Sequence, residues 1–205
     1  MATWAIVVAG GSGERFGDRK QYLALGDGRV IDWSLRAAAD GTDGVVVVVP
    51  ADRADEPEPL ATVVAPGGAT RSASVRAGLA AVPDDADVIL VHDAARPVPV
   101  PEVWQRVRAA IAAGADAAVP AVPVSDTLRE LGGGTVDRSR LVAVQTPQAF
   151  RAAALRVAHA GEPEGTDDAS LVEATGGRVV VVDGDPANIK ITSPVDLALA
   201  ELLCR

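Results

Sequence analysis

The chain has 205 residues, of which 48% are hydrophobic and 23% charged, and its formal net charge is −9. That length and balance fit one globular domain and exclude a disordered, collagenous or coiled-coil chain. The negative charge argues against nucleic acid or an anionic membrane surface as the main partner, because both require a broad positive field.

Phe, Trp and Tyr make up only 3% of the residues, so the core is built from Ala, Val, Leu and Ile. Residues 5–9 form the first apolar run. It is too short for a signal segment, lacks a basic flank, and falls far below the roughly 20 apolar residues of a membrane span, so the expected location is cytoplasmic. The run reads as a strand and leads into Ala9-Gly10-Gly11-Ser12-Gly13-Glu14-Arg15-Phe16-Gly17, with Lys20 three positions later. Glycines directly after a first strand let a backbone approach a nucleotide closely, and their N–H groups form an anion-binding concavity. A dinucleotide fingerprint needs a third glycine where Phe16 stands, and a P-loop needs a Gly-Lys-Ser/Thr sequence where Arg19-Lys20-Gln21 stands. Neither template fits. Arg15 and Lys20 with these glycines describe either a polyphosphate cradle or a solvated basic loop.

Residues 30–39 have an amphipathic Ala/Leu/Arg pattern and read as a helix, followed by strands over 45–49 and 62–65. Five consecutive valines at 45–49 mark a strand buried on both faces, as in parallel sheets covered by helices on both sides. Gly67-Gly68 then opens a helix over 72–81, with Thr70 or Ser72 as candidate caps. The strand over 88–92 runs into Asp93-Ala94-Ala95-Arg96-Pro97. In an open α/β sheet ligands bind beyond the carboxyl ends of strands, which places Asp93 and Arg96 on the same rim as the glycine loop. There Asp93 can hold a ribose hydroxyl or a phosphate-borne Mg²⁺, and Arg96 a phosphate oxygen; the plainer alternative is a capped turn with Asp93 paired to Arg96. His92 reads as a structural strand-end residue and not as a general base.

A helix over 103–113 starts near Pro101, and a strand follows over 117–122. Residues 123–144 break the rhythm: polar, with the triplet Gly132-Gly133-Gly134 between two short mixed stretches. This reads as a projecting β-arm or, alternatively, as a disordered glycine-rich surface loop; in the arm, a turn centred on Gly133 puts Thr127 and Arg138 within about one residue of being opposite each other. A two-stranded hairpin alone is marginal in water, so the arm is expected to pack on a second copy of the chain. A late strand over 179–182 precedes Asn188-Ile189-Lys190-Ile191-Thr192, and Ser193-Pro194 starts the closing helix over 195–203. Of the 19 basic residues only Lys20 and Lys190 are lysine. Both sit beside candidate phosphate positions, where a compact ammonium is not interchangeable with a guanidinium. The single cysteine, Cys204, reads as an incidental terminal residue in a reducing compartment.

The segments 9–15, Lys20-Gln21-Tyr22-Leu23, Gly67-Gly68 with Arg71 and Ser74, 91–97, 123–127, Val136-Asp137-Arg138, Thr146-Pro147-Gln148, 166–170 and 188–192 follow one another as in a known family. The sequence resembles the 2-C-methyl-D-erythritol 4-phosphate cytidylyltransferases, along almost the whole chain. The resemblance implies an α/β Rossmann-like three-layer nucleotidyltransferase fold, with a mostly parallel sheet and a protruding β-arm at about 123–144 exchanged across a homodimer. It implies CTP and a polyol phosphate as substrates, with Mg²⁺ held mainly through the CTP phosphates and no dedicated protein metal site. It assigns Arg15 and Lys20 to the charge on the α-phosphate and leaving pyrophosphate, and Lys190 and Arg138 to positioning the attacking phosphate. Thr127, Asp93 and Arg96 would hold that substrate. Ala9, Gly10, Gly68 and Ser74 would surround cytosine, with Gly11, Gly13 and Ala94 near ribose and phosphates. Two positions depart from the pattern: Arg19 stands where proline is common, and Ala69 where an acidic residue often reads the base. With no second catalytic segment after residue 205, the stand-alone form is expected. Alternatives are a ribitol 5-phosphate cytidylyltransferase and a non-catalytic nucleotide-binding paralogue; the broken fingerprint disfavours an NAD-linked oxidoreductase.

Overall fold

The computed structural model describes residues 1–11 and 19–204. Among the described residues, ten strands and six α-helices follow the order β1 (Thr3–Val8), β2 (Ala24–Leu25), β3 (Gly28–Arg29), α1 (Val30–Ala39), β4 (Gly44–Val49), β5 (Val63–Pro66), α2 (Arg71–Ala81), β6 (Val88–Asp93), α3 (Pro101–Ala112), β7 (Ala117–Pro123), β8 (Val142–Val144), β9 (Gln148–Arg151), α4 (Ala152–Ala158), α5 (Asp168–Ala174), β10 (Val179–Asp183) and α6 (Pro194–Leu203). The main sheet has the order β10-β7-β9-β6-β1-β4-β5, with β8 added to β7. β1 is parallel to β4 and β6, β4 to β5, and β10 to β7. Of these described strands only β9, antiparallel to β6 and β7, and β8 run against the rest of the sheet.

The valine run of β4 shows why the sheet sits in the middle layer. Val46 and Val48 enter the cluster beneath α2, α4 and α5, while Val45, Val47 and Val49 enter the cluster beneath α1 and α3. Alternate side chains leave opposite faces of a strand, so an uninterrupted apolar run requires a cover on both. A third cluster packs Leu25, Val30, Val98, Val103 and Ile191 under α6.

Helix starts obey local chemistry. Thr70 Oγ1 accepts the Ala73 N–H at 3.0 Å at the start of α2, and Ser193 with Asp196 forms a reciprocal capping box before Pro194. β9, α4 and α5 were not legible as elements, being only four to seven residues long. Cys204 is not incidental: it is 5% exposed within the α6 cluster, and burial pushes its thiol up to about 11. Among the described residues no helix is long and apolar enough to cross a membrane.

The stretch over 123–144 is less regular than a hairpin of two strands. At its root β7 and β8 pair antiparallel through Pro123–Val142 and Ala121–Val144. Further out there is one bridge, Arg129 to Thr135, backed by the Val136 N–H donating to the Leu128 carbonyl at 2.9 Å. The turn is centred on Gly132, whose φ of +77° suits glycine, one residue before the expected centre. That register sets Thr127 against Asp137, next to Arg138. Residues 125–144 are exposed apart from the half-buried Leu128 and Val136.

Candidate active site at the carboxyl rim

The carboxyl ends of β1, β4, β5 and β6 meet in one rim. Ala9 continues the sheet by donating its N–H to the Val48 carbonyl at 2.7 Å, and Gly67 does the same to Val49 at 2.7 Å. These bonds bring Gly10 against Gly67. A Cβ on Gly10 would stand 3.3 Å from Ser74 Oγ, and one on Gly67 would stand 3.1 Å from the Val49 carbonyl oxygen. The close approach of two backbones therefore favours glycine, since a Cβ at either position would push a neighbour back by a few tenths of an ångström. Gly68 is bound just as tightly to α2, where a Cβ would lie 2.5 Å from that of Ala73. Ser74, 3% exposed, accepts the Gly68 N–H at 3.2 Å and donates to the Thr70 carbonyl at 2.9 Å, fixing the turn. Thus Ala9, Gly10, Gly68 and Ser74 do come together, while Gly11 is exposed with open space beside it.

Residues 12–18, including Gly13 and Arg15, lie outside the described residues. Lys20 lies in a 3₁₀ turn, Lys20–Tyr22. The next residue, Gln21, is 4% exposed and donates to the carbonyls of Ala9 at 2.7 Å and Gly11 at 3.1 Å. It ties the 3₁₀ turn back onto the segment that follows β1. Arg19, in the position where proline is common, forms a two-pronged ion pair with Asp52 at 2.8 and 3.0 Å.

A charged cluster occupies the end of β6. Lys190 Nζ lies 2.6 Å from Asp93 Oδ2, and Arg71 Nε is 3.8 Å from Asp93 Oδ1. Burial alone would raise the Asp93 carboxyl, but Lys190 and Arg71 outweigh it and hold it down at about 2. Arg71 reaches the other way to Asp168 at 2.8 Å, and Asp168 faces His159 Nε2 at 3.0 Å. Burial opposes the Arg71 charge, yet Asp168 and Asp93 leave its pKa raised. The expected alternative pairing of Asp93 with Arg96 does not form. Arg96 Nη1 donates to the Asn188 carbonyl at 2.7 Å and Nη2 to the Val144 carbonyl at 3.4 Å. The carbonyls aim the guanidinium, and burial lowers its pKa against the opposing pull of the nearby Asp93 charge.

Lys190 is brought to Asp93 by backbone docking. The Ile191 N–H donates to the Ala95 carbonyl at 2.8 Å, and Asn188, fully buried, donates through Nδ2 to the Thr146 carbonyl at 2.9 Å. Ala94 is anchored by its N–H on the Val8 carbonyl at 3.1 Å. Thr127 and Arg138 stand apart from this cluster. Both are exposed, and Arg138 Nη1 turns back onto the carbonyls of Ser125 and Val124.

Arg71, Gln21, Thr146 and Asn188 support the site without having been assigned a role from the sequence. Each belongs to a segment that resembled the family. Their roles rest on hydrogen bonds, and for Arg71 ion pairs, to residues distant in sequence, which no spacing records.

With this geometry in place, comparison with known proteins is decisive. Residues 3–205 match the family model described as 2-C-methyl-D-erythritol 4-phosphate cytidylyltransferase. The chain belongs to this family. It is 44% identical over 218 residues to the Nocardia farcinica protein of that name, covering 97% of this chain and 92% of the relative. It is 45% identical over 215 residues to the Rhodococcus opacus one, covering 97% and 93%. The crystal structure of the Thermus thermophilus family member superposes with a TM-score of 0.85 at 40% identity, covering 98% of each chain. The family is one of nucleotidyltransferases, and the mostly parallel α/β sheet agrees with the expected fold class.

Proposed function

We propose that this enzyme transfers the cytidylyl group of CTP to 2-C-methyl-D-erythritol 4-phosphate, giving 4-diphosphocytidyl-2-C-methyl-D-erythritol and pyrophosphate. The observation that carries the reading is the juxtaposition on one rim of a bare glycine backbone, from Gly10, Gly67 and Gly68, and the cluster of Lys190, Asp93 and Arg71. The first suits a flat base and its ribose; the second suits a phosphate bearing hydroxyls.

In the reaction an oxygen of the substrate's 4-phosphate attacks the α-phosphorus of CTP, a new P–O bond forms, and the α–β bridging bond breaks with its electron pair leaving on pyrophosphate. Positioning and electrostatics carry such steps. Arg15 and Lys20 stabilise the charge on the α-phosphate and on the leaving group. Lys190, whose side chain is 41% exposed, presents an ammonium to the attacking phosphate while Asp93 fixes its direction. Asp93 and Arg96 bind the acceptor's hydroxyls and phosphate, and Ala9, Gly10, Gly11, Gly13, Gly68, Ser74 and Ala94 surround the nucleotide.

Mg²⁺ supplies charge neutralisation on the triphosphate. Both oxygens of Asp93 face cations, so the triphosphate's own oxygens are better ligands than this carboxylate. Arg138 and Thr127 complete the site from a partner's arm in a homodimer. Their exposure supports this, as does the bare apolar edge of Leu131, Leu141, Val142 and Val144. One domain over 1–205 and a cytoplasmic location complete the reading.

The test is pyrophosphate release with CTP and Mg²⁺, comparing 2-C-methyl-D-erythritol 4-phosphate with ribitol 5-phosphate in matched reactions. Release with the first alone is expected. Release with the second transfers the assignment to that sugar alcohol, and binding of CTP without release from either makes the chain a nucleotide-binding paralogue.

A further inference from the structure

His92 is buried beneath the turn that presents Asp93 and Arg96, at 2% exposure. Its Nε2 lies 3.1 Å from the Arg96 carbonyl oxygen. A carbonyl only accepts, so Nε2 carries the hydrogen. Burial holds the ring well below its usual range, at about 4, so the imidazole is neutral and Nδ1 is left as an acceptor. Nδ1 lies 3.1 Å from Thr146 Oγ1. That hydroxyl already accepts the Asp93 N–H at 3.0 Å, so its one hydrogen points to His92. The chain of bonds is closed and directional: Asp93 N–H to Thr146, Thr146 O–H to His92, His92 N–H to Arg96. Its first and last members are the two residues assigned to the acceptor.

The middle of the same turn has other supports. Ser34, fully buried on α1, donates to the Ala94 carbonyl at 3.0 Å with the Arg96 carbonyl as a longer second acceptor at 3.3 Å, the Ala94 N–H donates to Val8 at 3.1 Å, and the Arg96 N–H closes the turn on the Asp93 carbonyl at 3.0 Å. Ala94, on the nucleotide side, is therefore fixed by α1 and β1 without His92. The ring itself is braced by Trp104, with centroids 5.0 Å apart.

We propose that His92 is a positioning residue for the acceptor substrate: a neutral two-sided bridge that sets Asp93 and Arg96 relative to one another while leaving nucleotide binding untouched. No other side chain offers an acceptor and a donor on opposite edges of one rigid ring, which is what Thr146 and the Arg96 carbonyl demand. The inference rests on the assignment of Asp93 and Arg96 to the polyol phosphate.

The test compares His92→Phe, His92→Asn and His92→Gln in the full-length protein. The glutamine amide reaches the Nε2 position and keeps a donor for Arg96; the asparagine amide reaches only the Thr146 side. Three quantities are measured: KM for 2-C-methyl-D-erythritol 4-phosphate, the calorimetric Kd for CTP without acceptor, and the melting temperature. His92→Phe, which keeps neither bond, is expected to raise the acceptor KM about tenfold, and His92→Asn and His92→Gln, which keep one bond each, a few-fold, with CTP Kd within about twofold in all three. An unchanged acceptor KM in folded His92→Asn overturns the proposal, as does a parallel loss of CTP binding. If His92→Phe does not fold, the asparagine and glutamine pair decides alone. Should neither of those fold, the ring is a purely structural residue and the proposal fails. Asp93→Asn and Arg96→Lys separate the two levels: if neither moves the acceptor KM, the acceptor assignment is wrong; if both do and the His92 variants do not, only the bridge is.

Discussion

The turn over residues 93–96 and the segment over residues 125–144 both carry residues assigned to the same reaction, yet the chain treats them in opposite ways. The first is pinned from four directions, by β1, α1, Thr146 and the docked stretch around Asn188 and Lys190. The second has one bridge, a glycine turn and exposed side chains. A buried polar turn demands a partner for each N–H and carbonyl, which fixes geometry to a few tenths of an ångström. An exposed segment leaves those groups to water, and its geometry is set only by what it docks against. The contrast teaches that one half of the proposed acceptor site is held by this chain's own contacts, whereas the proposed other half has no such supports among the described residues.

The largest expected effect falls on the rigid half. Lys190→Ala should lower kcat/KM about 10³-fold, about 4 kcal/mol of transition-state stabilisation. Steady-state pyrophosphate release measures it, and a fall of less than tenfold breaks the claim that the Asp93–Lys190 pair serves the attacking phosphate.

Next comes acid stability, which also belongs to the rigid half. His92 has its pKa lowered to about 4 from 6.5, so the unfolded chain takes up the proton first as pH falls. The corresponding stability is fully present above pH 6.5 and is lost progressively down to about pH 4, amounting to about 3 kcal/mol. Asp93, held at about 2 from 3.8, adds a loss that begins only below pH 3.8. Urea unfolding at pH 7, 5.5 and 4.5 reads the His92 part, and His92→Gln should flatten it; an equal slope in parent and variant removes His92 from the account.

The exposed half is tested by complementation. Lys20→Ala and Arg138→Ala proteins, each nearly inactive, should regain activity when mixed and allowed to exchange subunits. One site in each mixed dimer is then intact, and random pairing gives about one quarter of parental activity. Verified mixed dimers without recovery would place Arg138 in the site of its own chain. The smallest effect is expected at the tip: Leu131 is fully exposed, so Leu131→Asp should change the chain's own unfolding free energy by less than about 0.5 kcal/mol. The same change should weaken the dimer in sedimentation velocity; an unaffected dimer would exclude the tip from the interface.

Much of the rim was legible. Asp93, Arg96 and the glycine pairs were placed by strand ends and glycine positions, because open α/β sheets bind at their carboxyl edge, and Lys190 by being one of only two lysines among 19 basic residues. The supports were not legible. Thr146, Asn188 and Gln21 act through bonds spanning from 10 to 53 positions of sequence, and β9 is too short and too mixed in composition to announce itself.

The sequence by itself determined the parallel sheet, through the doubly buried valine run of β4, the helix starts at Pro101 and Ser193, and the family, through ordered motifs. Only the tertiary structure decided that Asp93 pairs with Lys190 instead of Arg96, that His92 is a neutral bridge, and that Cys204 is core. Local pattern encodes which face of an element is apolar. Which polar groups meet depends on where distant segments come to rest, and in a buried site each must find its one geometrically available partner.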